Sequence, residues 1–535
     1  MRRFSLLLLH LILLAAGGLL AVRFIAGPFR LPLVTVYSPI NAAGATAVSF
    51  LLLALASTHN KSRASGLPCV NQWVILAGLL VIVAASFGRN LNAPFVYDDY
   101  THIVQTSHAT WRIVQDAFRQ EPGGHGLFFR PIAFISYWVD YQWARAVATR
   151  WHAWSMAAHV VNAWLVYLLA MRSGLARTGA AGAALVFALH GSRAESVAWS
   201  DARSDLLATF FCLAALLALL GYCRGGRKRF LVPAVLATAL GAYTKESAFC
   251  LPLLPLALLP VLNRAERGRA VRAGLALTIE CAALFAYRWW ALGGIGGYAD
   301  RTGVSAVWHS RPLHTFEALF FRQWAFLFFP VNWSVPLEWW LRIAAAAFIA
   351  VLLFCAGRGA ASRPHLLAGI AFLLAASLPV QHLLLFQPDF AGARVLYLPL
   401  AGLAIFWGAW LGGLSRRAQW AGGAALLAFN LAALEHNLRP WRTTPQAAVA
   451  ACRAVGHALA QDPRPVILSG LPDRLDGVYF LGNGFPECVE MNSGQPMRRV
   501  YVTGRSPGVP PANARWFVWN AQTGTLQSRD GGPVN

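Results

Sequence analysis

Long apolar runs, separated by short polar segments, dominate the sequence. A run of about 20 mostly apolar residues is long enough to cross roughly 30 Å of hydrocarbon as a helix. A shorter apolar segment, 316–330, predicts a re-entrant or interfacial helix. The pattern therefore predicts an all-α polytopic membrane protein of thirteen spans, at about 4–26, 41–58, 71–88, 152–172, 178–190, 204–222, 230–245, 247–262, 271–291, 339–357, 365–385, 396–413 and 418–435.

Composition and charge agree with a membrane protein. Of 535 residues, 57% are hydrophobic and 13% charged, and the net charge of +23 comes almost wholly from arginine. The basic residues form short clusters between apolar runs, as in Arg416-Arg417, which is typical of cytoplasmic loops and not of a nucleic-acid surface. Met1-Arg2-Arg3 resembles a signal peptide, but no small-residue cleavage site follows, so we expect an uncleaved first span.

The positive-inside rule predicts which segments face outward. It places the N-terminus inside and residues 436–535 outside, with an outer loop over 89–151. We expect three parts: residues 1–70, with two spans and a cytoplasmic loop; the membrane domain 71–435; and a small extracytoplasmic α/β domain over 436–535, with a helix over 444–460. Cys452 and Cys488 lie in this last part, where an oxidising compartment could join them.

The clearest candidate for chemistry is the pair Asp98-Asp99, directly after an uncharged span. Adjacent carboxylates at a membrane surface repel each other and are partly desolvated, so at least one should have a raised pKa. Such an acid suits general-base catalysis. The alternative is that one of them caps the helix that begins near Thr101.

Further ionisable residues lie in predicted outer segments. His190 to Asp205 contains Arg193, Glu195 and Arg203, which could form either a salt-bridged hairpin or a pocket for an anionic headgroup. Lys245-Glu246 is either a self-satisfied pair or part of that pocket. Arg130, Arg394 and Tyr397 fit interfacial anchors equally well. No nucleotide-binding loop and no metal-binding spacing is present in the sequence.

Several of these motifs resemble one family in order along the chain. The family is the transmembrane and tetratricopeptide-repeat O-mannosyltransferases with their bacterial relatives, within the C-type (GT-C) superfamily of polyprenyl-phosphate-dependent glycosyltransferases. Three features differ: Gly191 replaces a usual proline, two extra spans come first, and the repeats are missing. The matching strings are Phe95 to Tyr100, Phe129-Arg130-Pro131, His152 to His159 with Asn162, His190 to Leu207, Lys245-Glu246-Ser247 and Arg394 to Pro399.

This resemblance implies roles for the motif residues. Asp98 or Asp99 would deprotonate the acceptor hydroxyl while its neighbour orients it. Candidates for binding the carrier phosphate are Arg130, Arg203, Lys245, Arg394 and Tyr397. Residues expected to shape the site are Tyr97, His190, Arg193, Glu195, Asp205 and Glu246.

The resemblance also implies a function. We expect an inverting glycosyltransferase of the inner (plasma) membrane that moves a sugar, with mannose as one candidate, from a polyprenyl-phosphate donor. The acceptor would be an extracytoplasmic protein, glycan or lipid hydroxyl, and no nucleic acid is expected as a partner. No cofactor is expected to be required, although an acidic pair can also help to hold a divalent metal ion. The alternatives are a transporter or flippase of lipid-linked sugars, or an inactive relative that only binds.

Overall fold

The computed structural model describes residues 2–31, 34–36, 39–56, 71–119, 128–297, 311–356, 363–384, 386–504 and 511–529. The basic loop around Lys61 and the glycine-rich segment before Arg130 lie outside these residues. The chain is mostly helical. The helices are α1 Arg2–Ala26, α2 Ile40–Ala56, α3 Gln72–Phe87, α4 Asp98–His108, α5 Trp111–Asp116, α6 Pro131–Ala144, α7 Ala148–Ser173, α8 Arg177–Leu189, α9 Arg193–Ala198, α10 Arg203–Gly225, α11 Leu231–Ala242, α12 Leu254–Ala257, α13 Arg264–Leu292, α14 Pro312–Glu317, α15 Gln323–Phe328, α16 Trp339–Cys355, α17 Arg363–Ser377, α18 Pro399–Gly412, α19 Arg416–Leu438, α20 Pro440–Gln461 and α21 Phe485–Ser493.

The strands are short. They are β1 Phe29–Leu31, β2 Val34–Val36, β3 Val466–Ser469, β4 Arg474–Leu475, β5 Val478–Tyr479, β6 Val500–Val502, β7 Arg515–Asn520 and β8 Thr525–Arg529. Six of these lie in the last hundred residues, so the small strand-containing unit predicted there is present. Its sheet has the order β6-β3-β7-β8, in which β3 runs parallel to β6 and β7, and β8 runs antiparallel to β7. A disulfide joins Cys452 of α20 to Cys488 of α21.

The apolar helices indicate that the chain is a membrane protein. Within the described residues, six helices are long and apolar enough to cross a bilayer: Ser5–Ala26, Gln72–Asn90, Ala148–Ser173, Ser200–Gly225, Arg264–Leu292 and Arg363–Leu383. Four shorter apolar helices are α2, α8, α16 and α18. The count of thirteen spans stays a prediction.

Two segments differ from a continuous helix. The predicted span 247–262 consists of a 3-10 turn at Glu246–Cys250, the short α12, and another 3-10 turn at Leu259–Val261. Pro252, Pro255 and Pro260 explain the breaks, because proline has no N–H to donate and its ring clashes with the preceding turn. The segment expected to lie flat or re-enter contains α14 and α15, joined by a π-helical turn at Ala318–Arg322.

Glycines allow the helices near the centre to pack closely. A Cβ atom at Gly402 of α18 would lie 2.5 Å from the carbonyl oxygen of Gly369 in α17, and one at Gly408 would lie 2.3 Å from that of Gly179 in α8. Real side chains do not fit in such spaces, so the backbones themselves are in contact. Small residues at helix crossings are the usual means of close packing in membrane proteins, where lipid provides little hydrophobic drive between helices.

Candidate active site

One large cavity of about 840 Å³ lies where the helix ends meet the C-terminal unit, residues 436–535. Its wall comes from α4, α6, the turn before α10, residues 245–249, the end of α13, residues 379–383 and 394–395, and the loop before α21. Five residues singled out from the sequence line this cavity together: Asp98, Arg130, Lys245, Glu246 and Arg394. The structure therefore brings motifs from four separate parts of the chain to one place.

Asp98 is the carboxylate that faces the cavity. It is the first residue of α4 and is half-buried, and its Oδ1 accepts a hydrogen bond from the side-chain amide of Asn483, 3.0 Å away. Burial raises the pKa of Asp98 to about 6, with a further increase from the neighbouring Asp201, while His102, Asn483 and Arg394 oppose the shift. A carboxylate with a pKa near neutrality is suited to accept a proton from a hydroxyl group.

Asp99 has a different environment from its neighbour. It is almost fully buried and does not line the cavity. Its Oδ2 accepts the backbone N–H of Val96 at 3.1 Å, and its Oδ1 accepts the backbone N–H of Asp201 at 2.9 Å. Burial raises the pKa of Asp99 well above its usual value. Asp99 thus joins the start of α4 to the turn before α10. The N-cap of α4 is Tyr97 and not an aspartate, so neither carboxylate has the capping position considered from the sequence.

Tyr97 has a strained backbone immediately before the catalytic candidate. Its φ of 54° lies in a region that side chains other than glycine rarely adopt. The Tyr97 ring stacks on Tyr479 with 5.2 Å between ring centres, and it also contacts Trp199. A Cβ at Gly484 would lie 2.3 Å from the Tyr97 carbonyl oxygen, so only glycine lets the C-terminal unit approach this closely. The surrounding contacts hold a conformation that costs of order 1–3 kcal/mol on its own.

Two guanidinium groups in the cavity share one carboxylate. Arg130 donates from Nη2 to Glu246 Oε2 at 2.6 Å and from Nε to both carboxylate oxygens at 3.0 and 3.2 Å. Arg288, near the end of α13, lies 3.5 Å from the same carboxylate. Because two fixed positive charges face a single negative one, this part of the wall retains one unit of positive charge.

Lys245 and Arg394 are the other cations of the wall. Lys245 Nζ lies 2.5 Å from Asp205 Oδ2. Arg394 pairs with Glu195, and its guanidinium lies 4.7 Å from the ring centre of Trp199. Asp205 and Glu195 are buried behind the cavity wall, so their role is to hold the two cations in position.

Arg203 lies outside the cavity, so its position does not suit the phosphate-binding role expected for it. Its side chain is fully buried, with Nη2 2.6 Å from Asp140 Oδ2. Its guanidinium is surrounded by aromatic rings, the centre of Trp154 being 4.5 Å away and that of Trp151 4.8 Å away. With its guanidinium enclosed by Asp140 and these rings, Arg203 is not open to a ligand in the cavity.

Tyr397, His190 and Arg193 are also fully buried and away from the cavity. The Tyr397 hydroxyl lies 2.7 Å from His159 Nδ1. Arg193 donates to the carbonyl oxygens of Leu396 and Tyr397 at 3.1 Å each, and His190 Nε2 lies 2.7 Å from the carbonyl oxygen of Leu327. Arg193 and Tyr397 thus fix the segment that carries Arg394, and His190 joins the turn before α9 to α15, so all three support the site from behind.

Gly191, which stands where the family usually has proline, has a packing reason. A Cβ atom there would lie 2.5 Å from the carbonyl oxygen of Pro330 and 2.9 Å from Cβ of Ala433. Asn437 of α19 donates to the carbonyl oxygens of both Gly191 and Pro330, at 2.9 and 2.8 Å. Three chain segments therefore meet at this turn, and only glycine fits between them.

Several polar residues of the cavity were not singled out from the sequence, among them His102, Asp201, Arg288 and Asn483. His102 Nε2 lies 2.9 Å from Asp201 Oδ1. Burial would lower the pKa of His102, but the charge and hydrogen bond of Asp201 raise it to about 9. One signal was available, because His102 follows Asp98 by four residues and therefore shares its helix face. No group of three or more His, Cys, Asp or Glu residues placed to hold a metal ion occurs among the described residues.

Part of the cavity wall is apolar. It includes Phe249, Phe285, Val380 and Leu383, from the segments that also carry Lys245, Glu246 and Arg288. Phe249 and Phe285 contact each other edge to face with 5.7 Å between ring centres. The cavity thus combines a carboxylate, paired cations and an apolar part of the wall, which is the arrangement needed for a ligand with an anionic head and a hydrocarbon chain.

Comparison with known proteins gave two relevant similarities. No family model matches the chain. Protein O-mannosyl-transferase Tmtc1 of Drosophila melanogaster is 31% identical over 158 residues, which cover 28% of this chain and 18% of that protein. The chain therefore spans less than a fifth of the length of this curated relative.

A solved structure is also similar. The crystal structure of ArnT from Cupriavidus metallidurans bound to undecaprenyl phosphate matches 85% of this chain and 94% of that one, with a TM-score of 0.42 and 14% identity. The resemblance to the O-mannosyltransferases of the GT-C superfamily, inferred from the motifs, is thus confirmed as a resemblance by the match to Tmtc1.

Proposed function

We propose that this protein is a membrane glycosyltransferase that moves a sugar from a polyprenyl-phosphate donor to a hydroxyl group of an acceptor. The observation that carries the proposal is the single cavity in which Asp98, with its raised pKa, occurs together with four cations and an apolar part of the wall. The similarity to an O-mannosyl-transferase supports the same class of reaction. Mannose is the sugar that this similarity favours.

The proposed reaction uses a carboxylate as the base and cations to stabilise the leaving group. Asp98 accepts the proton of the acceptor hydroxyl, and the hydroxyl oxygen attacks C1 of the sugar. The bond between C1 and the phosphate oxygen breaks, and polyprenyl phosphate leaves with the bonding electrons. A single displacement of this kind inverts the configuration at C1 and needs no covalent enzyme intermediate.

The cations stabilise the charge that develops on the leaving phosphate. Arg130 and Arg288 are suited to this task because both line the cavity and they share one carboxylate, that of Glu246. Lys245 and Arg394 line the same cavity, and the charge of Arg394 acts on Asp98. The apolar side chains of the wall would contact the first isoprene units of the carrier.

The location of the reaction is part of the proposal. The positive-inside rule places the arginine-rich loops in the cytoplasm. The cavity and the C-terminal unit would then lie on the opposite, extracytoplasmic side of the inner (plasma) membrane. The acceptor hydroxyl would therefore belong to an exported protein, glycan or lipid.

A transfer assay tests the function. Purified protein in lipid nanodiscs is given short-chain polyprenyl-phosphate sugars, and the release of free polyprenyl phosphate is measured. Release by the wild type that is lost in Asp98→Asn supports the proposal. The control is Asp116→Asn, which removes an outer-loop carboxylate that does not line the cavity.

The alternatives give different results in the same system. A flippase would move a labelled donor across liposome membranes without releasing polyprenyl phosphate. An inactive relative would bind the donor and neither move nor cleave it. Either result with all donors would contradict the proposal.

A further inference from the structure

The polar lining of the cavity divides into two halves of different charge. One half contains Arg130, Lys245, Arg288 and Arg394, described above. The other half is a slot between two helices: α4 presents Thr101 and Gln105, and the start of α21 with its preceding loop presents Asn483 and Glu487. Thr101 and Gln105 follow Asp98 by three and seven residues, so all three lie on one face of α4.

The charge of this slot is negative. His102 is its one cationic group among the described lining residues, and Asp201 neutralises it at 2.9 Å. Glu487 is half-buried, and within the described part of the chain no arginine, lysine or histidine is within salt-bridge distance of it. The remaining lining groups are amides and a hydroxyl, which both donate and accept hydrogen bonds.

We propose that this slot is the acceptor subsite, and that Glu487 selects a neutral or amine-bearing sugar as the acceptor. This inference rests on the proposed function and adds the class of acceptor to it. Amide and hydroxyl side chains match the hydroxyl groups of a sugar, and the carboxylate of Glu487 attracts an ammonium group and disfavours a carboxylate or phosphate. The C-terminal unit thereby contributes acceptor specificity.

The position of the slot agrees with the direction of the reaction. In a displacement with inversion, the nucleophile and the leaving group lie on opposite faces of C1. Asp98 interacts with both halves, because Asn483 of the slot donates to it at 3.0 Å and the charge of Arg394, from the cationic half, acts on the same carboxylate. An acceptor hydroxyl in the slot can therefore face Asp98 while the phosphate stays among the cations.

Three probe acceptors that share an octyl glucoside scaffold and carry a neutral, a positive or a negative group test the inference. They are n-octyl β-D-glucopyranoside, its 2-amino-2-deoxy analogue, and n-octyl β-D-glucuronide, each added to protein and donor in nanodiscs. The readout is the ratio of kcat/KM between probes within one variant, so a change in overall activity cancels. For the wild type we expect the amine to be used better than the glucuronide by about fivefold or more, the effect of one half-exposed charge pair.

Variants of Glu487 give the decisive comparison. Glu487→Gln should remove the preference, and Glu487→Lys should reverse it in favour of the glucuronide. Glu490→Gln is the matched control, because Glu490 lies on the same helix, accepts the backbone N–H of Met497, and does not line the cavity. It should keep the wild-type ratio.

The failures of the two proposals are distinguishable. Absence of donor cleavage under all conditions would contradict the glycosyltransferase function itself. Two results would overturn the acceptor subsite and leave the function in place. One is that Glu487→Gln cleaves the donor and keeps the wild-type ratio of kcat/KM between the amine and the glucuronide. The other is that the donor is cleaved but none of the probes is used.

Discussion

Asn483 of the C-terminal unit donates its side-chain amide to Oδ1 of Asp98, from which it is separated by 385 residues. The hydrogen bond crosses between two parts of the chain that the sequence pattern assigns to different domains. Tyr479 and Gly484, on either side of Asn483, contact Tyr97 and so hold the same corner of the site. The C-terminal unit is therefore a part of the candidate active site.

The first prediction concerns the pH dependence of transfer. Asp98 acts as a base only when deprotonated, so the rate should fall as the pH drops through its pKa of about 6. The amide of Asn483 stabilises the charged form, and Asn483→Leu should therefore raise this pKa and shift the acidic limb of the kcat profile upward by about half to one pH unit. Asn483→Gln should restore part of the shift. An unchanged acidic limb in Asn483→Leu would contradict this role.

The second prediction separates the two adjacent aspartates. Asp99→Asn should lower the thermal unfolding midpoint, because an amide has only one oxygen to accept the two backbone N–H groups that Asp99 satisfies. We expect a loss of about 1–3 kcal/mol in the free energy of unfolding. Asp98→Asn should leave the midpoint close to that of the wild type while transfer is lost. Equal effects of both substitutions on stability would show that the two carboxylates do not differ in this way.

The third prediction separates cavity arginines from buried ones. Arg130→Gln should raise the KM for the donor about tenfold or more while the protein stays folded, since a charge-assisted contact to phosphate is lost. Arg203→Gln should instead destabilise the protein by about 3–5 kcal/mol, because it leaves the buried Asp140 unpaired. Donor titrations and thermal unfolding in detergent measure the two effects. A stable Arg203→Gln protein with a raised KM for the donor would contradict this prediction and indicate that Arg203 binds the phosphate.

The elements and the main carboxylate were accessible from the sequence, because apolar length and a charged pair at a helix mouth are local signals. The sequence did not show which polar residues line the cavity and which are buried behind it. Arg203, Tyr397 and Arg193 have the same sequence signature as Arg394, namely a polar group in an outer segment, and only packing shows that they are enclosed. Asn483 could not be found either, since the contact that gives it a role joins distant parts of the chain.

The fourth prediction concerns topology. Asp473 is exposed on the C-terminal unit, and Arg227 is exposed in a basic loop after α10. Asp473→Cys should react with a membrane-impermeant maleimide in intact cells, whereas Arg227→Cys should react only after permeabilisation. The described free cysteines are buried and should give little background. The opposite pattern would invert the membrane orientation that the basic loops predict.

The contact between Asn483 and Asp98 also has a consequence for biogenesis. Asp98 leaves the ribosome well before its partner does. At about 5–20 residues per second, the 385 intervening residues take roughly 20–80 s to synthesise. During this interval the helices that surround Asp98 can insert, but the cavity lacks the part of its wall that the C-terminal unit supplies, including the amide of Asn483. We therefore expect a nascent chain to remain inactive until its last segment has been exported and folded, which would keep partly made copies from consuming the lipid carrier.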